Sequence, residues 1–561
     1  MKKHLSFSYI LFIVIALLTS CSDDNEATTT DFRLTDINIG DQHNQSAFTN
    51  VSPDASIVMF FSEAVDESTI PENIRFIELD GEDEFDLKVN YILDEENKKL
   101  TITPVNPLGN YSTYKFVLYP GVKSTTGSPI FTGKVYSIQT GMEDSDKFER
   151  IPDEELLTLV QKQTFSYFWD FGHPNCGMAR ERSTSTNTVA TGGTGFGVMS
   201  IIVGAERNFV TRQEALERIQ KIVNFLSTCE SYHGAFSHWI YGDSGFIQPF
   251  SETDDGVDLV ETSLLFQGLL TARAYFSNDT DTEEKLRNDI TRLWENIDWN
   301  WFRKESSENV LYWHWSKNHN WDMGMKITGW NESLITYVLA ASSPTHNIDK
   351  AVYDEGWANN GGMKNGKLYY DYILPLGTEN GGPLFISQYS FMGINPTGLA
   401  DTYANYEEQT RNHALINYNY CVDNPRGYAG YGKNCWGLTA SYSVDGYAAH
   451  SPNEQDDKGV ISPTAALSSI VYTPEESMQV MRHLYNMGDK VFGPFGFYDA
   501  FSETDNWYPQ RYLAIDQGPI AVMIENYRTG LLWKLFMSHP DVQAGLTKLG
   551  FNTNKQDVRQ K

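Results

Sequence analysis

The sequence predicts two domains of different class, a small all-β sandwich followed by an all-α (α/α) toroid. The first indication is a change in the period of the apolar residues, from two over residues 32–140 to a helical period after residue 151. The second is that all thirteen Trp residues lie at or after Trp169. The third is the length of 561 residues, which exceeds the roughly 100–200 residues of one typical domain.

The composition is that of a globular protein with an acidic surface. Hydrophobic residues make up 40% of the chain and charged residues 21%, and 43 basic side chains face 73 acidic ones for a net charge of -30. Such a surface repels phosphate backbones and anionic lipid. Nucleic acids and acidic polysaccharides are therefore disfavoured as partners.

Residues 1–20 are predicted to be a lipoprotein signal peptide. Lys2 and Lys3 precede an apolar run over 9–18 that is too short for a comfortable membrane span. The run Leu18–Cys21 resembles the bacterial lipoprotein cleavage box, which implies that Cys21 carries the lipid. Loss of the two lysines would change the net charge from -30 to -32.

Residues 21–30 are polar and are predicted to be a flexible linker. The acidic stretch 22–26 resembles the export signal that sends lipoproteins to the cell surface in Bacteroidetes-type bacteria. We therefore expect an outer-membrane lipoprotein at the cell surface, held by its lipid anchor only. A periplasm-facing anchor is the alternative.

The remaining cysteines leave two interpretations open. Four thiols in an oxidising compartment permit disulfides in three pairings, while buried free thiols fit a chain of this size equally well. These cysteines are Cys176, Cys229, Cys421 and Cys435. The sequence contains no Cys-x-x-Cys, no His-Glu-x-x-His and no EF-hand loop, so neither a metal nor a cofactor is predicted.

Residues 31–141 are predicted to form the β-sandwich. Apolar residues alternate with others along several short runs, which indicates half-buried strands: Ile57, Met59 and Phe61, then Leu100 and Ile102, then Tyr114, Phe116 and Leu118. The runs Ile57–Val65 and Leu100–Pro104 resemble a bacterial Ig-like domain. With no Trp and no obvious acid pair, this domain is interpreted as a spacer or docking module.

After a linker at 142–150, residues 151–551 are predicted to be helical, followed by a polar tail at 552–561. Long helical stretches are predicted at 211–228, 257–276, 474–487 and 515–537. Twelve helices of roughly 15 residues, with loops of similar length, would fill this span, and that number of helices fits a toroid rather than a four-helix bundle. The absence of a βαβ rhythm argues against a TIM barrel.

The most informative acidic residues lie at the start of one predicted helix. Ser251 and Asp254 fit a capping box, and Asp254, Asp258 and Glu261 follow at i, i+4 and i+7, hence on one face. After Glu261 the helix is apolar on most of its circumference, which predicts an inner helix. Ordinary helix-dipole acids explain Asp254, but Asp258 and Glu261 lie too deep, and crowded buried acids acquire the raised pKa that a general acid needs.

A second group of candidates follows a Trp-rich stretch between residues 294 and 330. Most of these indoles are expected to be core, but Trp313 and Trp330 are candidates for stacking on a pyranose ring. Glu332 opens the next apolar helical stretch and is either a catalytic acid or an ordinary first-turn acid. Asp516 opens a later helix, and the run Arg180–Arg182 either lines the mouth of a cleft or is merely solvated.

Residues 155–551 resemble glycoside hydrolase family 144, the glucoamylase-like group associated with β-1,2-glucan. The resemblance lies in the runs Thr164–Asp170, Gly192–Gly197, Glu252–Glu261, Gly329–Glu332 and Ile515–Pro519. It implies an (α/α)6 toroid and inverting hydrolysis of a neutral glucan. It also implies that the family's acids on the inner helix, with one facing them across the cleft, are Asp254, Asp258, Glu261 and Glu332.

Helix geometry restricts the roles of these acids. Side chains at i and i+3 have Cβ atoms about 5–6 Å apart, whereas inversion needs carboxyl groups roughly 6.5–9.5 Å apart. Asp258 and Glu261 are therefore not the whole acid/base pair. We hypothesise that Glu332 or Glu261 protonates the glycosidic oxygen and that Asp258 helps to activate or position water. Asp254 would bind a sugar hydroxyl.

Trp313, Trp330 and Asp516 complete the predicted substrate-binding set, in a protein expected to be a monomer. Three alternatives stay open: a glucan-binding lipoprotein without catalysis, a hydrolase of another neutral linkage such as an α-glucan, and a polysaccharide lyase. The lyase is disfavoured because binding a uronate usually needs cationic groups.

Overall fold

The computed structural model describes residues 32–80, 83–142 and 145–552, which form two compact units divided near residue 143. The predicted signal peptide 1–20, the linker 21–30 with Cys21, and all of the tail except Asn552 lie outside the described residues. Within the described ranges, none of the helices is both long and apolar enough to span a membrane.

The first unit is a sandwich of two five-stranded sheets. The strands are β1 Leu34–Ile39, β2 Gln42–His43, β3 Ala47–Val51, β4 Ile57–Phe61, β5 Ile74–Asp80, β6 Asp83–Asp86, β7 Val89–Leu93, β8 Lys99–Pro104, β9 Thr113–Leu118 and β10 Lys134–Thr140. One sheet has the order β2–β1–β4–β8–β7 and the other β3–β10–β9–β5–β6, with β3 and β10 parallel. A short helix, α1 Ile70–Asn73, precedes β5.

The alternating apolar residues form the core of this sandwich. Ile57, Met59 and Phe61 on β4 are all buried, and so are their counterparts on β8 and β9, which confirms the predicted period. Phe76 and Phe116 meet edge to face across β5 and β9 at a centroid distance of 6.0 Å. The unit therefore has its own hydrophobic core.

The second unit is a toroid of helices. In chain order these are α2 Asp153–Trp169, α3 Thr191–Glu206, α4 Arg212–Leu226, α5 Leu259–Tyr275, α6 Asp281–Glu295, α7 Leu334–Ser342, α8 Tyr406–Asp423, α9 Pro463–Leu467, α10 Pro474–Asn486, α11 Ala514–Thr529, α12 Leu531–Met537 and α13 Pro540–Leu549. Short two- and three-stranded ribbons lie in the loops: β11 Thr188–Ala190 with β12 Trp239–Tyr241 and β13 Ile247–Gln248, β14 Val257–Asp258 with β15 His314–Trp315, β16 Lys364–Tyr369 with β17 Tyr372–Leu376, β18 Ala440–Ser443 with β19 Gly446–Ala449, and β20 Phe492–Gly493 with β21 Gly496–Phe497.

Six buried segments form the inner ring of the toroid. Helices α11, α3, α5 and α7 pack in that order, and α9 packs on α11. The segment 384–392, which contains the two 3₁₀ turns Leu384–Ser387 and Ser390–Met392 instead of an α-helix, closes the ring between α7 and α9. In this segment Ser390 accepts a hydrogen bond from the amide of Ile335 on α7, and Gln388 donates one to the carbonyl of Ala465 on α9. Amphipathic helices such as α4, α6 and α10 lie outside this ring.

Glycines set the spacing between α3 and α5. A Cβ at Gly195 would lie 2.1 Å from the carbonyl oxygen of Leu264, and one at Gly268 would lie 2.1 Å from that of Gly195. The two helices therefore contact each other backbone to backbone. This packing explains Gly195 and Gly268, because any larger residue at the contact would force the helices apart, whereas Gly193 lies against Ala514 and Gly197 against Phe168.

The structure corrects two predictions about helix length. The described part of the second unit does contain twelve α-helices, but they range from 5 residues in α9 to 18 in α8 instead of being uniformly near 15. The helix predicted at 515–537 is two helices, because Gly530 adopts a φ of +69° that ends α11 and starts α12.

Candidate active site

A cavity of about 410 Å³ opens at the N-terminal ends of the inner helices. The starts of α5 and α11 and the residues just before α3 and α7 contribute to its wall, as do the ribbons β12–β13 and β18–β19. Among the predicted residues, those that line it are Asp258, Glu261, Trp313 and Glu332, together with Glu181 and Arg182 of the run predicted at a cleft mouth.

Asp258 is the N-cap of α5 and not a residue inside it. Its Oδ1 accepts a hydrogen bond of 2.9 Å from the amide of Glu261, so the carboxylate stabilises the start of the helix. The predicted capping box at Ser251 is therefore wrong, since the helix begins at Leu259. The preceding residues are extended because Val257 and Asp258 pair with β15.

Asp254 lies in the loop before β14 and does not share a helix face with Asp258 and Glu261, which corrects that prediction. Its Oδ1 is 3.1 Å from Nε2 of the buried His314. Gly256 lies against the backbone of Trp315, where a Cβ would come 2.0 Å from the carbonyl oxygen. This close approach holds the loop on β15, and Asp254 is not among the residues lining the cavity.

Pairing of β14 with β15 brings Trp313 to Asp258. The indole Nε1 donates a hydrogen bond of 3.1 Å to Oδ2 of Asp258. The same oxygen lies 3.4 Å from Nδ1 of His238, a residue that sequence reasoning missed. Trp313 therefore lies on the cavity wall, in the kind of position expected for a substrate-binding residue.

Glu261 is held in the first turn of α5. Its Oε2 accepts a hydrogen bond of 2.7 Å from the amide of Gly192 at the start of α3. Burial raises the pKa of Glu261, His238 at 3.9 Å lowers it, and the charge of Asp258 raises it again. The net direction is upward, as expected for a carboxyl group in a crowded, desolvated site.

Glu332 lies two residues before α7 and lines the same cavity. Its backbone carbonyl accepts a hydrogen bond from the hydroxyl of Ser390, which fixes the turn. Burial raises the pKa of Glu332 to about 7, with smaller contributions from the charges of Asp258 and Glu261. A carboxyl group with this pKa holds its proton near neutral pH and can act as a general acid.

Asp516 lies in the first turn of α11 and is 1% exposed, so it does not line the cavity, although its neighbours Leu513 and Ile515 do. It interacts with the buried Asp499, and one oxygen of each carboxyl group finds no N–H or O–H donor. Burial and Asp499 raise the pKa of Asp516, and burial raises the pKa of Asp499 to about 6. Their proximity in a buried site therefore disfavours the state in which both groups are ionised.

Trp330 does not lie where the sequence predicted. It is 8% exposed, and its ring packs among Trp357, Phe391 and Tyr406 at centroid distances of 5.8–6.4 Å. It is not among the residues lining the cavity. The prediction failed because a Trp one turn before a buried helix can point to the core as easily as to the cleft, and sequence does not distinguish the two.

Aromatic side chains missed by the sequence interpretation complete the wall. The ring of Phe250, which is 49% exposed, lies 4.5 Å from that of His238 and 4.7 Å from that of Trp239. Tyr442 and Tyr447 line the other side on β18–β19, and their rings are 5.5 Å apart. These residues lie in loops without periodicity, so no pattern in the sequence singled them out.

The described ranges contain neither a disulfide nor a cluster of side chains arranged to bind a metal ion. The four described cysteines, Cys176, Cys229, Cys421 and Cys435, are free thiols, and all but Cys229 are buried. In residues 32–80, 83–142 and 145–552, no group of three or more His, Cys, Asp or Glu side chains is arranged to hold a metal ion.

Comparison with known proteins identifies both units. Residues 30–140 match the Big_5 bacterial Ig-like domain, and residues 324–540 match the Glycoamylase family model ("Putative glucoamylase"). A curated relative from Parabacteroides distasonis, an exo β-1,2-glucooligosaccharide sophorohydrolase acting at the non-reducing end, is 45% identical over 417 residues. That alignment covers 71% of this chain and 58% of the relative, so the chain spans little more than half of the relative's length.

Two solved structures extend the comparison. An endo-β-1,2-glucanase from Chitinophaga pinensis, in complex with sophorotriose and glucose, is 54% identical with a TM-score of 0.71 and covers 72% of this chain and 100% of its own. A β-1,2-glucanase from Parabacteroides distasonis is 36% identical with a TM-score of 0.70, and the match covers 93% of this chain and 74% of that one.

Proposed function

We propose, because this chain belongs to the glucoamylase-like glycoside hydrolases of family 144, that it hydrolyses β-1,2-linked glucan by an inverting acid/base mechanism. The names of its relatives support the linkage, since both an exo-acting sophorohydrolase and an endo-glucanase act on β-1,2-linked glucose. The single observation that carries the proposal is that Asp258, Glu261 and Glu332 line one cavity of about 410 Å³, where burial raises the pKa of Glu332 to about 7.

Glu332 is assigned as the general acid. It donates its proton to the glycosidic oxygen as the bond to the anomeric carbon breaks, so the leaving sugar departs as an alcohol. The carboxylates of Asp258 and Glu261 lie on the adjacent part of the wall. They stabilise the positive charge that develops on the sugar ring in the transition state.

The base is assigned to the carboxyl pair of Asp499 and Asp516. In the ring order α3, α5, α7, segment 384–392, α9, α11, the helices α7 and α11 are three positions apart, so the start of α11 with Asp516 lies across the ring from the start of α7. Inversion requires acid and base on opposite faces of the sugar, which the neighbouring Asp258 and Glu261 do not provide. Because neither carboxyl group lines the cavity, the proton of the attacking water must be relayed to the pair past Ile515 and Tyr447, which do line it.

Comparing single variants tests these roles. Asp516→Asn is expected to lower kcat at least a thousandfold, like Glu332→Gln, because each removes one half of the acid/base pair. Glu261→Gln should have a smaller effect. If Glu261→Gln instead abolishes turnover while Asp516→Asn leaves it intact, the base belongs to the α5 wall.

The activity itself is tested by incubating the protein with linear β-1,2-glucan and measuring reducing ends. Glucans with β-1,3, β-1,4 and α-1,4 linkages serve as controls in parallel. Release from β-1,2-glucan alone supports the proposal. Binding without release would identify a non-catalytic glucan-binding protein, and an ultraviolet-absorbing product would identify a lyase.

We also propose that the protein is a monomer anchored at the outer membrane, facing the cell surface, through lipid on Cys21. The sequence pattern around residues 1–30 supports the anchor and its orientation. Labelled palmitate should be incorporated into the wild-type protein, whereas Cys21→Ala should abolish incorporation and release the protein into the soluble fraction. Protease treatment of intact cells tests the orientation, and light scattering of the released variant tests the monomer.

A further inference from the structure

One imidazole ring contacts both carboxylates of the α5 wall. His238 immediately precedes β12, and its Nδ1 lies 3.4 Å from Oδ2 of Asp258 while its Nε2 lies 3.9 Å from Oε1 of Glu261. The side chain is 29% exposed, and the ring of Phe250 packs against it at 4.5 Å. A single ring therefore occupies the gap beside two carboxylates that leave the same helix start.

We propose that His238 is a positioning residue whose imidazolium form keeps Asp258 and Glu261 both ionised while Glu332 holds the catalytic proton. The proposal deepens the proposed function, on which it rests. It concerns the distribution of protons within the cavity and not a further group that reacts with the sugar.

Charge counting explains why a cation is needed at this place. The charged or ionisable groups that line the cavity, apart from tyrosines, are Glu181, Arg182, His238, Asp258, Glu261 and Glu332. Arg182 is paired with Glu181, one guanidinium nitrogen lying 2.8 Å from a carboxylate oxygen, so its charge is compensated there. That leaves His238 as the cation facing Asp258 and Glu261 in the lining set.

The surrounding carboxyl groups determine the charge of the ring. Asp258 faces it from the N-cap of α5, Glu261 from the first turn of that helix and Asp254 from the loop before β14, while Glu332 lines the same cavity. Burial alone lowers the pKa of His238, but Glu261, Asp258 and Asp254 together raise it to about 9. The ring is consequently protonated through the neutral range.

Removing the cation would redistribute one proton. Two carboxylates three residues apart on a buried helix start repel each other, and without a cation one of them takes up a proton. Glu261 is the candidate, because burial already raises its pKa. The wall would then lose one of the two negative charges that stabilise the oxocarbenium-like transition state.

The backbone of His238 is fixed independently of its side chain. Its carbonyl accepts a hydrogen bond of 3.1 Å from the amide of Thr191 at the start of α3, and Trp239 pairs with Ala190 on β11. A side-chain substitution at His238 therefore leaves the segment anchored. The effect of the imidazole charge can be separated from an effect on the fold.

The first experiment titrates His238 directly without substrate. Carbon-13-labelled histidine in the full chain gives Cε1 signals by NMR, and the signal lost in His238→Gln identifies the residue. We expect this ring to remain protonated at pH 8. A midpoint below pH 7 would overturn the proposal, whether or not the protein hydrolyses β-1,2-glucan.

The second experiment measures kcat/KM against pH for three variants. Without the cation, protonation of Glu261 rather than of the Asp499–Asp516 pair should set the acidic limb, so His238→Gln should move that limb up by about one pH unit and leave the alkaline limb, set by Glu332, in place. His238→Lys, which keeps the charge, should hold the acidic limb at the wild-type position even at a lower maximal rate. The matched control is His319→Gln, because Nε2 of His319 lies 3.9 Å from Asp255, a residue outside the lining set.

A uniform loss of rate in His238→Gln with both limbs unmoved would overturn the proposal and leave the ring a structural role. Equal shifts in His238→Gln and His238→Lys would do the same. Absence of any hydrolysis by the wild type would instead refute the proposed function, and the NMR titration would still decide the charge of His238.

Discussion

The indole Nε1 of Trp313 donates a hydrogen bond of 3.1 Å to Oδ2 of Asp258, although the two residues are 55 positions apart in the sequence. The contact depends on two short strands, since β14 and β15 pair Asp258 with His314. With Oδ1 capping α5, both oxygens of Asp258 have fixed hydrogen-bond donors. Asp258 is thus an oriented negative charge, which suits electrostatic stabilisation better than proton transfer.

Trp313→Phe should lower kcat roughly 10-fold, because it removes a hydrogen bond to a charged group and retains an aromatic ring. Steady-state kinetics on β-1,2-glucan measures the effect. Trp321→Phe is the matched control, since Nε1 of Trp321 has no hydrogen-bond partner in the described structure. Equal kinetics for the two variants would show that the hydrogen bond to Asp258 does not matter.

Glu332→Gln should fold normally and reduce kcat by at least a thousandfold, because glutamine cannot donate a proton to the glycosidic oxygen. Circular dichroism checks the fold and reducing-end assays the rate. Glu379→Gln, at an exposed carboxylate in the same domain, should retain wild-type activity. A rate near that of the wild type in Glu332→Gln would remove Glu332 from the mechanism.

The activity should be confined to a narrow pH range. The general acid must be protonated, so activity falls as the pH rises through the pKa of Glu332, about 7. Asp499, with a pKa of about 6, belongs to the pair that must carry a negative charge, so activity falls below that value. A kcat/KM profile that is flat from pH 5 to pH 9 would contradict both assignments.

The stability of the folded protein should fall with rising pH because of Glu332. The pKa of Glu332 is raised from 4.5 to about 7 in the folded protein, so its contribution to stability is complete below pH 4.5 and lost as the pH rises through 7. The difference in melting temperature between Glu332→Gln and the wild type should therefore shift by roughly 2 °C in favour of the variant when the pH is raised from 5 to 8. Calorimetry at both values measures it, and a relative loss at pH 8 would contradict the raised pKa.

Gly192→Ala should impair catalysis by displacing Glu261. A Cβ at this position would lie 2.7 Å from Oε2 of Glu261, the oxygen that accepts the hydrogen bond from the amide of Gly192. We expect kcat to fall about 10-fold. Gly432→Ala is the control, because a Cβ there meets no atom within 4 Å. Unchanged kinetics in Gly192→Ala would show that the position of Glu261 is not critical.

Phe250→Ala should raise KM about three- to tenfold with little change in kcat, because an exposed ring on the cavity wall offers a stacking face to a sugar. The neighbouring Phe246 is 63% exposed and does not line the cavity, so Phe246→Ala should leave KM unchanged. Similar values of KM for both variants would exclude stacking on Phe250.

Much of the architecture could be predicted from the sequence because it follows from local periodicity. The alternation at Ile57, Met59 and Phe61 gave the sandwich, and the continuous apolar character after Glu261 gave an inner helix. The start of that helix could not be predicted correctly. It is fixed by pairing with β15, a contact with residues more than fifty positions away.

The candidate site was predictable in part for a similar reason. Acids at the start of an apolar helix are visible in sequence, which is how Asp258, Glu261 and Glu332 were found. His238 and Phe250 lie in loops, and their importance arises only from the three-dimensional contacts of their rings. Asp254 fitted the same pattern and Trp330 lay in the Trp-rich stretch, but tertiary packing placed both outside the cavity wall.

The most direct test of the account is proton NMR of the reducing ends released from linear β-1,2-glucan in the first minutes of reaction. Attack by water on the face opposite the leaving group should release the α-anomer first, with the β-anomer appearing only as mutarotation proceeds. Initial release of the β-anomer, or no new reducing end at all, would contradict the assignment of Glu332 and Asp516 as acid and base on opposite faces of the sugar.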